Sequence, residues 1–180
     1  AIFSSEGHIV IEEGSKSNFI EDYHYMELAV INTSDSNYDH FTIFDAALLK
    51  PDKILYHQDL PFEIKIISFL ENCQPQRRDR PAGVQYKGMM KNFMISALAP
   101  LKEENMNRPG LIFHLKNTGT DSDGLYGLFL GQNVPQTMQI NNNNYTVVFR
   151  KKRTYLSFEL ELIDFKKVMH PGTGIARSYS

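Results

Sequence analysis

Apolar residues along this chain alternate with polar ones or gather in short runs, and Gly, Pro, Asn and Asp cut the runs at roughly ten-residue intervals. That is the period of half-buried strands joined by turns. The cleanest case is LPFEIKII (60–67), where Phe62, Ile64 and Ile66 face one way and Glu63 and Lys65 the other. SFELEL (157–162) repeats it, with Phe158, Leu160 and Leu162 opposed to Glu159 and Glu161. Other strands are predicted in GHIVIEEG (7–14), at the start of MELAVINTSDSNYD (26–39) before its polar turn cluster, and once or twice in GVQYKGMMKNFMISAL (83–98). LIFHLKN (111–117) and LYGLFLG (125–131) follow, and then TMQI-NNNN-YTVVF (137–149), a hairpin whose Asn residues tolerate left-handed backbone. FTIFDAALLKPDK (41–53) is ambiguous: DAALL fits one helical turn with Asp45 as N-cap, stopped by Pro51. CQPQRRDRPAG (73–83) reads as an exposed loop, KEENMNRPG (102–110) as a polar loop and TGTDSDG (118–124) as a turn. No amphipathic helix of three turns is visible. The pattern predicts an all-β, mainly antiparallel chain, a β-sandwich or open barrel with little helix.

The two clean strands are also related in sequence. At an offset of 96, Leu60/Leu156, Phe62/Phe158, Glu63/Glu159, Ile67/Ile163, Phe69/Phe165 and Pro75/Pro171 are identical. Two readings stand. Both strands obey the same period-2 constraint, or the chain holds two similar β-lobes, about 1–100 and 101–180, each with this strand as its spine.

Composition narrows the function. A length of 180 residues suits one domain with a sizeable core. A net charge of −2 lacks the basic excess of a nucleic-acid domain. The single cysteine, Cys73, excludes an intrachain disulfide and a Cys-rich zinc site. The longest uncharged stretch, 124–149, is long enough to span a bilayer, but its Gln, Pro and four consecutive Asn keep it out of lipid. The opening AIFSSEGH has no signal-peptide pattern. The expectation is a water-soluble chain cut from something larger. No nucleophile elbow, Walker loop, HExxH or dinucleotide fingerprint occurs, so no catalytic residue and no metal site is assigned. Glu159 and Glu161 could suggest a glycosidase pair, but alternation alone puts them on one polar face.

The ending RTYLSFELELIDFKKVMHPGTGIARSYS resembles a motif of the ResB family of cytochrome c biogenesis proteins. There, a Leu-Pro-Phe strand reaches Asp-Phe and is followed by a Tyr/His-Pro-Gly-Thr turn and a Ser-rich extended end. The matching residues are Leu156, Phe158, Asp164, Phe165, His170, Pro171, Gly172, Thr173, Ser178 and Ser180; the family's Pro is Ser157 here, but the earlier copy keeps it as Pro61. GHIVIEEG, YMELAVINTSD and RPGLIFHLKNTG are similar to earlier stretches of the family, so the resemblance touches most of the chain. It implies the soluble domain (1–180) of a membrane-anchored protein, on the extracytoplasmic face of the bacterial cytoplasmic membrane, the periplasm in Gram-negative bacteria. It also implies a partnership with a ResC-like membrane protein in delivering haem to Cys-x-x-Cys-His apocytochromes. The chain has no tryptophan, and so lacks the tryptophan-rich haem-handling segment that resembles part of ResC. Haem is therefore expected to be handled by the parent complex, with no cofactor assigned to this domain.

Candidate contacts follow from residue chemistry. Cys73, with Arg77 and Arg78 close in sequence, is a candidate for a haem-vinyl or thiol-exchange contact, against the commoner reading of a passive thiol. His114, inside LIFHLKN, and His170, in the Pro-Gly-Thr turn, are candidate haem ligands. That turn is first explained structurally: Pro171 fixes φ, Gly172 allows positive φ and Thr173 can bond the backbone. Asp164 is expected at a strand end, accepting backbone N–H bonds. Arg150, Lys151, Lys152 and Arg153 fit a membrane surface nearby or a solvated turn, and RRDRP (77–81) a partner-docking loop. The leading expectation is a non-enzymatic scaffold or partner-binding surface, with a ResC-like protein, an apocytochrome c or a thioredoxin-like reductant as partner. The rival is a freestanding β-sandwich module for a small apolar ligand or carbohydrate, and a hydrolase ranks last.

Overall fold

The structure is a computed structural model. It describes residues 7–165 and, beyond them, the backbone strands at 167–169 and 176–179. Strands take 52% of the chain, and no helix among the described residues reaches seven residues. The predicted all-β class holds. The sheets are antiparallel and do not close into a barrel, as in a β-sandwich.

Contacts divide the chain into two units, and both are discontinuous or nested in sequence. One is His24–Lys152; the other joins Ala1–Tyr23 to Arg153–Ser180. The expected lobe boundary near residue 100 is not where the chain divides. The reason is long-range pairing: β5 (Glu63–Leu70) is hydrogen-bonded to β8 (Gly110–Lys116) across that position, from Glu63↔Lys116 to Leu70↔Gly110.

In the larger unit, β5 and β8 are the centre of a four-stranded sheet, flanked by β4 (Ile54–Leu55) and β9 (Gly124–Phe129). The second sheet contains β3 (His40–Asp45), β2 (Lys16–Asn32), β11 (Asn143–Glu161) and β10 (Gln136–Ile140). One face of each sheet meets in a single apolar cluster. Phe62, Ile64 and Ile66 of the first sheet lie there with Leu111, Phe113 and Leu115; Leu28, Val30, Ile140 and Val147 come from the second. Two aromatic pairs bridge the sheets edge-on, Phe62 with Tyr145 (5.2 Å) and Phe69 with Phe149 (6.0 Å). The alternation read in LPFEIKII is thus a core face.

The opposite face of the four-stranded sheet is covered as well. β6 (Cys73–Arg77) and β7 (Phe93–Ala97) form a two-stranded ribbon. With the 3₁₀ turn Gly88–Lys91 they bury Cys73, Met90 and Ile95 beside Ile112, Leu125 and Phe129. Residues 73–77, expected as an exposed loop, are therefore a strand. Pro75 is tolerated because a two-stranded ribbon leaves each strand an unpaired edge, where a missing N–H costs nothing.

Local chemistry explains several boundaries. Asp45 accepts the Ala47 N–H (3.1 Å) and caps the short 3₁₀ turn Ala46–Leu48, the turn expected in DAALL. Asn141 (φ 51°) and Asn142 (φ 64°) supply two left-handed residues, and β10 and β11 pair directly across them. The turn before β9 is organised by Asp123, which accepts the Thr118 hydroxyl (2.6 Å) and backbone N–H (2.8 Å).

The smaller unit contains β1 (Gly7–His8), the first part of β2, the last part of β11, and the hairpin of β12 (Lys167–Met169) and β13 (Ala176–Tyr179). GHIVIEEG contributes only its first two residues as strand, whereas β2 begins at Lys16, ten residues before the stretch that predicted it. Among the described residues of this unit no apolar side chain is buried. It is joined by backbone bonds between Gly14, Ser15 and Leu162. Arg153 adds to this by donating to Glu21 (2.9 and 3.0 Å) and lying over the Phe19 ring.

Candidate functional site

The second copy of the repeated strand is the last part of β11, and its surroundings differ from those of the first. Phe62, Ile64 and Ile66 are 3%, 0% and 0% exposed; Phe158 and Leu160 are 57% and 39% exposed. Ile163 and Phe165 beyond them are exposed too, and so is Tyr155 before them. Of the two readings of the repeat, the exposure of the second copy favours a shared period-2 constraint over a second buried spine. Alternation requires only that one side of a strand be apolar, and here that side stays exposed. Asp164 is exposed past the end of β11, away from any core. Pro171, Gly172, Thr173 and the candidate ligand His170 lie outside the described residues.

The basic run 150–153 is not a turn. It lies within β11, and three of its members are held by carboxylates. Arg150 Nε donates to Glu27 Oε1 (2.8 Å) with both side chains buried, Lys152 Nζ reaches Asp45 Oδ2 (2.8 Å), and Arg153 holds Glu21. The Lys152 ammonium, with the Ala47 N–H, keeps the Asp45 carboxyl below its ordinary range. These pairs connect residues more than a hundred positions apart, so sequence spacing gave no sign of them.

Cys73 is buried against Ile95 and Met90, and burial pushes its thiol above the ordinary value; the charge of Arg108 opposes this and does not overcome it. Of the two arginines expected near the thiol, Arg77 and Arg78, the second is engaged elsewhere. Arg78 Nε donates to the Met90 and Phe93 carbonyls (3.2 and 3.1 Å) and its guanidinium lies over Tyr86. A thiol with raised pKa and no access is a packing residue. His114, half-buried, stands between Lys65 and Leu125 on the neighbouring strands. Cys73 packs beside Gly110 and Ile112 at the start of β8, whereas His114 lies further along the same face of that strand. Among the described residues no group of three or more His, Cys, Asp and Glu is placed to hold a metal ion.

Sequence reasoning missed a cleft in the larger unit. Pro75, Met89, Phe93, Phe129, Gln132, Asn133 and Val134 line an open cleft of about 260 Å³. Its residues come from β6, the 3₁₀ turn, β7, β9 and the loop after β9, and no sequence signal groups them. A scan against protein-family models finds no match, and no curated protein matches the chain.

Proposed function

We propose that this chain is the extracytoplasmic β-domain of a ResB-like cytochrome c assembly protein, and that it works without catalysis as a surface for a partner. The motif Leu156-x-Phe158…Asp164-Phe165…Pro171-Gly172-Thr173 supports the family reading. The observation that carries the role is the exposure of Phe158, Leu160, Ile163 and Phe165 on the very segment that bears the resemblance. Large apolar side chains left out of their own core favour association with another surface. The partner is a ResC-like membrane protein, with apocytochrome c or a thioredoxin-like reductant as further clients of the complex. The parent protein is membrane-anchored and this domain lies outside the cytoplasmic membrane; haem is the cargo of the complex.

The test is complementation. Cells lacking the parent protein receive it back with Phe158→Asp and Phe165→Asp, and covalent haem in c-type cytochromes is read by haem staining. The expected result is loss of stained cytochrome while the variant accumulates at the wild-type level. Normal cytochrome maturation in cells lacking the parent protein altogether would sink the family reading. Normal maturation with the variant alone would sink the surface role.

A further inference from the structure

The cleft beside the β6–β7 ribbon has an unusual combination of wall and polar group. Five of its lining side chains are apolar, Pro75, Met89, Phe93, Phe129 and Val134, and none is charged. The remaining two are amides. Gln132 spends its Nε2 on the Val134 carbonyl (2.6 Å), while its Oε1 is buried with no hydrogen-bond partner. A buried acceptor left unmet is costly, and it is met in native structures by a protein group, an ordered water or a bound molecule.

We infer that this cleft binds a small neutral aromatic molecule carrying one N–H or O–H donor, with the ring between Phe93, Phe129 and Met89 and the donor on Gln132 Oε1. Neutrality follows from the wall, because an ion there would lose its hydration and find no counter-charge. An aromatic ring follows from the wall as well, since phenyl rings and a thioether favour the edge and face of another ring. The volume lies below the range of drug-sized ligands and suits one or two fused rings. Entry involves the loop that carries Gln132. That loop leaves β9 at Gly131 (φ 82°), its Gln132–Val134 bond closes within itself, and Val134 is 72% exposed. The Gln132 N–H holds the loop to the Phe129 carbonyl (3.2 Å), so the donor is met by a turn of the Gln132 side chain that brings Oε1 to it. This site is independent of the surface on β11.

Indole and indene form a matched probe pair, alike in shape but differing in the N–H donor. Each is titrated into the ¹⁵N-labelled chain and followed by amide shifts. Indole is expected to move the amides of Met89, Phe93, Phe129 and Gln132 and to bind about tenfold tighter than indene, the ratio one net hydrogen bond supports. Gln132→Met keeps the length of the side chain and removes the acceptor. It is expected to bring indole down to the indene level and leave indene unchanged, and its spectrum reports whether the fold is kept. Equal affinities in the wild type, or shifts mapping elsewhere, or none at all, would overturn the inference. Binding of N-acetyltryptophanamide without binding of indole would also overturn it, in favour of a side chain presented by a partner.

Discussion

Phe62→Ala and Phe158→Ala change the same residue in two copies of one strand pattern, and the two should differ widely in cost. Phe62 is 3% exposed, lies edge-on to Tyr145 at 5.2 Å and belongs to the cluster between the two sheets. Its truncation removes a buried ring and leaves a cavity, at about 3–5 kcal/mol. Phe158 is 57% exposed and outside any buried cluster, so its truncation should stay within about 0.5 kcal/mol. With a urea slope of about 2 kcal/mol/M, the first change lowers the unfolding midpoint by roughly 1.5–2.5 M and the second by at most about 0.3 M. Urea titration followed by far-UV circular dichroism measures both. A Phe158→Ala midpoint shift near that of Phe62→Ala would refute the reasoning, because it would mean that the second copy also sits in a core.

Three further outcomes concern single side-chain contacts. Glu27→Ala strands the buried Arg150 guanidinium and should cost about 3–5 kcal/mol, whereas Glu27→Met with Arg150→Met should cost far less, as judged by the same urea midpoints; equal losses would show that the pair is not the source. Cys73 should resist a thiol reagent such as DTNB in the native protein and react at once in 6 M urea, with rapid native labelling counting against a buried, raised-pKa thiol. Asp123 is held below the ordinary carboxylate value of 3.8, first by the Thr118 hydroxyl. The unfolded chain then takes up that proton first as pH falls, so the stabilisation is complete above the ordinary value and lost as pH drops through the folded one. Thr118→Val should move acid unfolding to higher pH, and an unchanged acid midpoint would exclude the contribution.

The sequence pattern carried the fold class because it carries local information well. Period-2 alternation in 60–67, the Asn pair at 141–142 and the Asp45 cap each state their geometry within a few residues, and each is found as expected. What alternation leaves open is whether a second layer covers the apolar side. Phe62 and Phe158 occupy equivalent places in the same motif and end with opposite exposure for that reason. Partners distant in sequence were illegible too. The basic run 150–153 looked like free charge because Glu21, Glu27 and Asp45, its counter-charges, lie over a hundred residues away. Within the loop expected at 73–83, the strand 73–77 was hidden by Pro75, which is compatible with a strand wherever one edge is unpaired. The cleft at Gln132 is the extreme case, assembled from five segments with no shared motif.

Under the proposed function, the exposed apolar residues near the end of β11 meet a partner of the cytochrome c assembly machinery. A photo-crosslinking amino acid placed at position 158 of the parent protein in living cells tests it most directly, with position 62 as the buried control. A crosslinked adduct with a ResC-like membrane protein is expected from position 158 and none from position 62. The absence of any adduct at 158, or the same adduct from both positions, would contradict it.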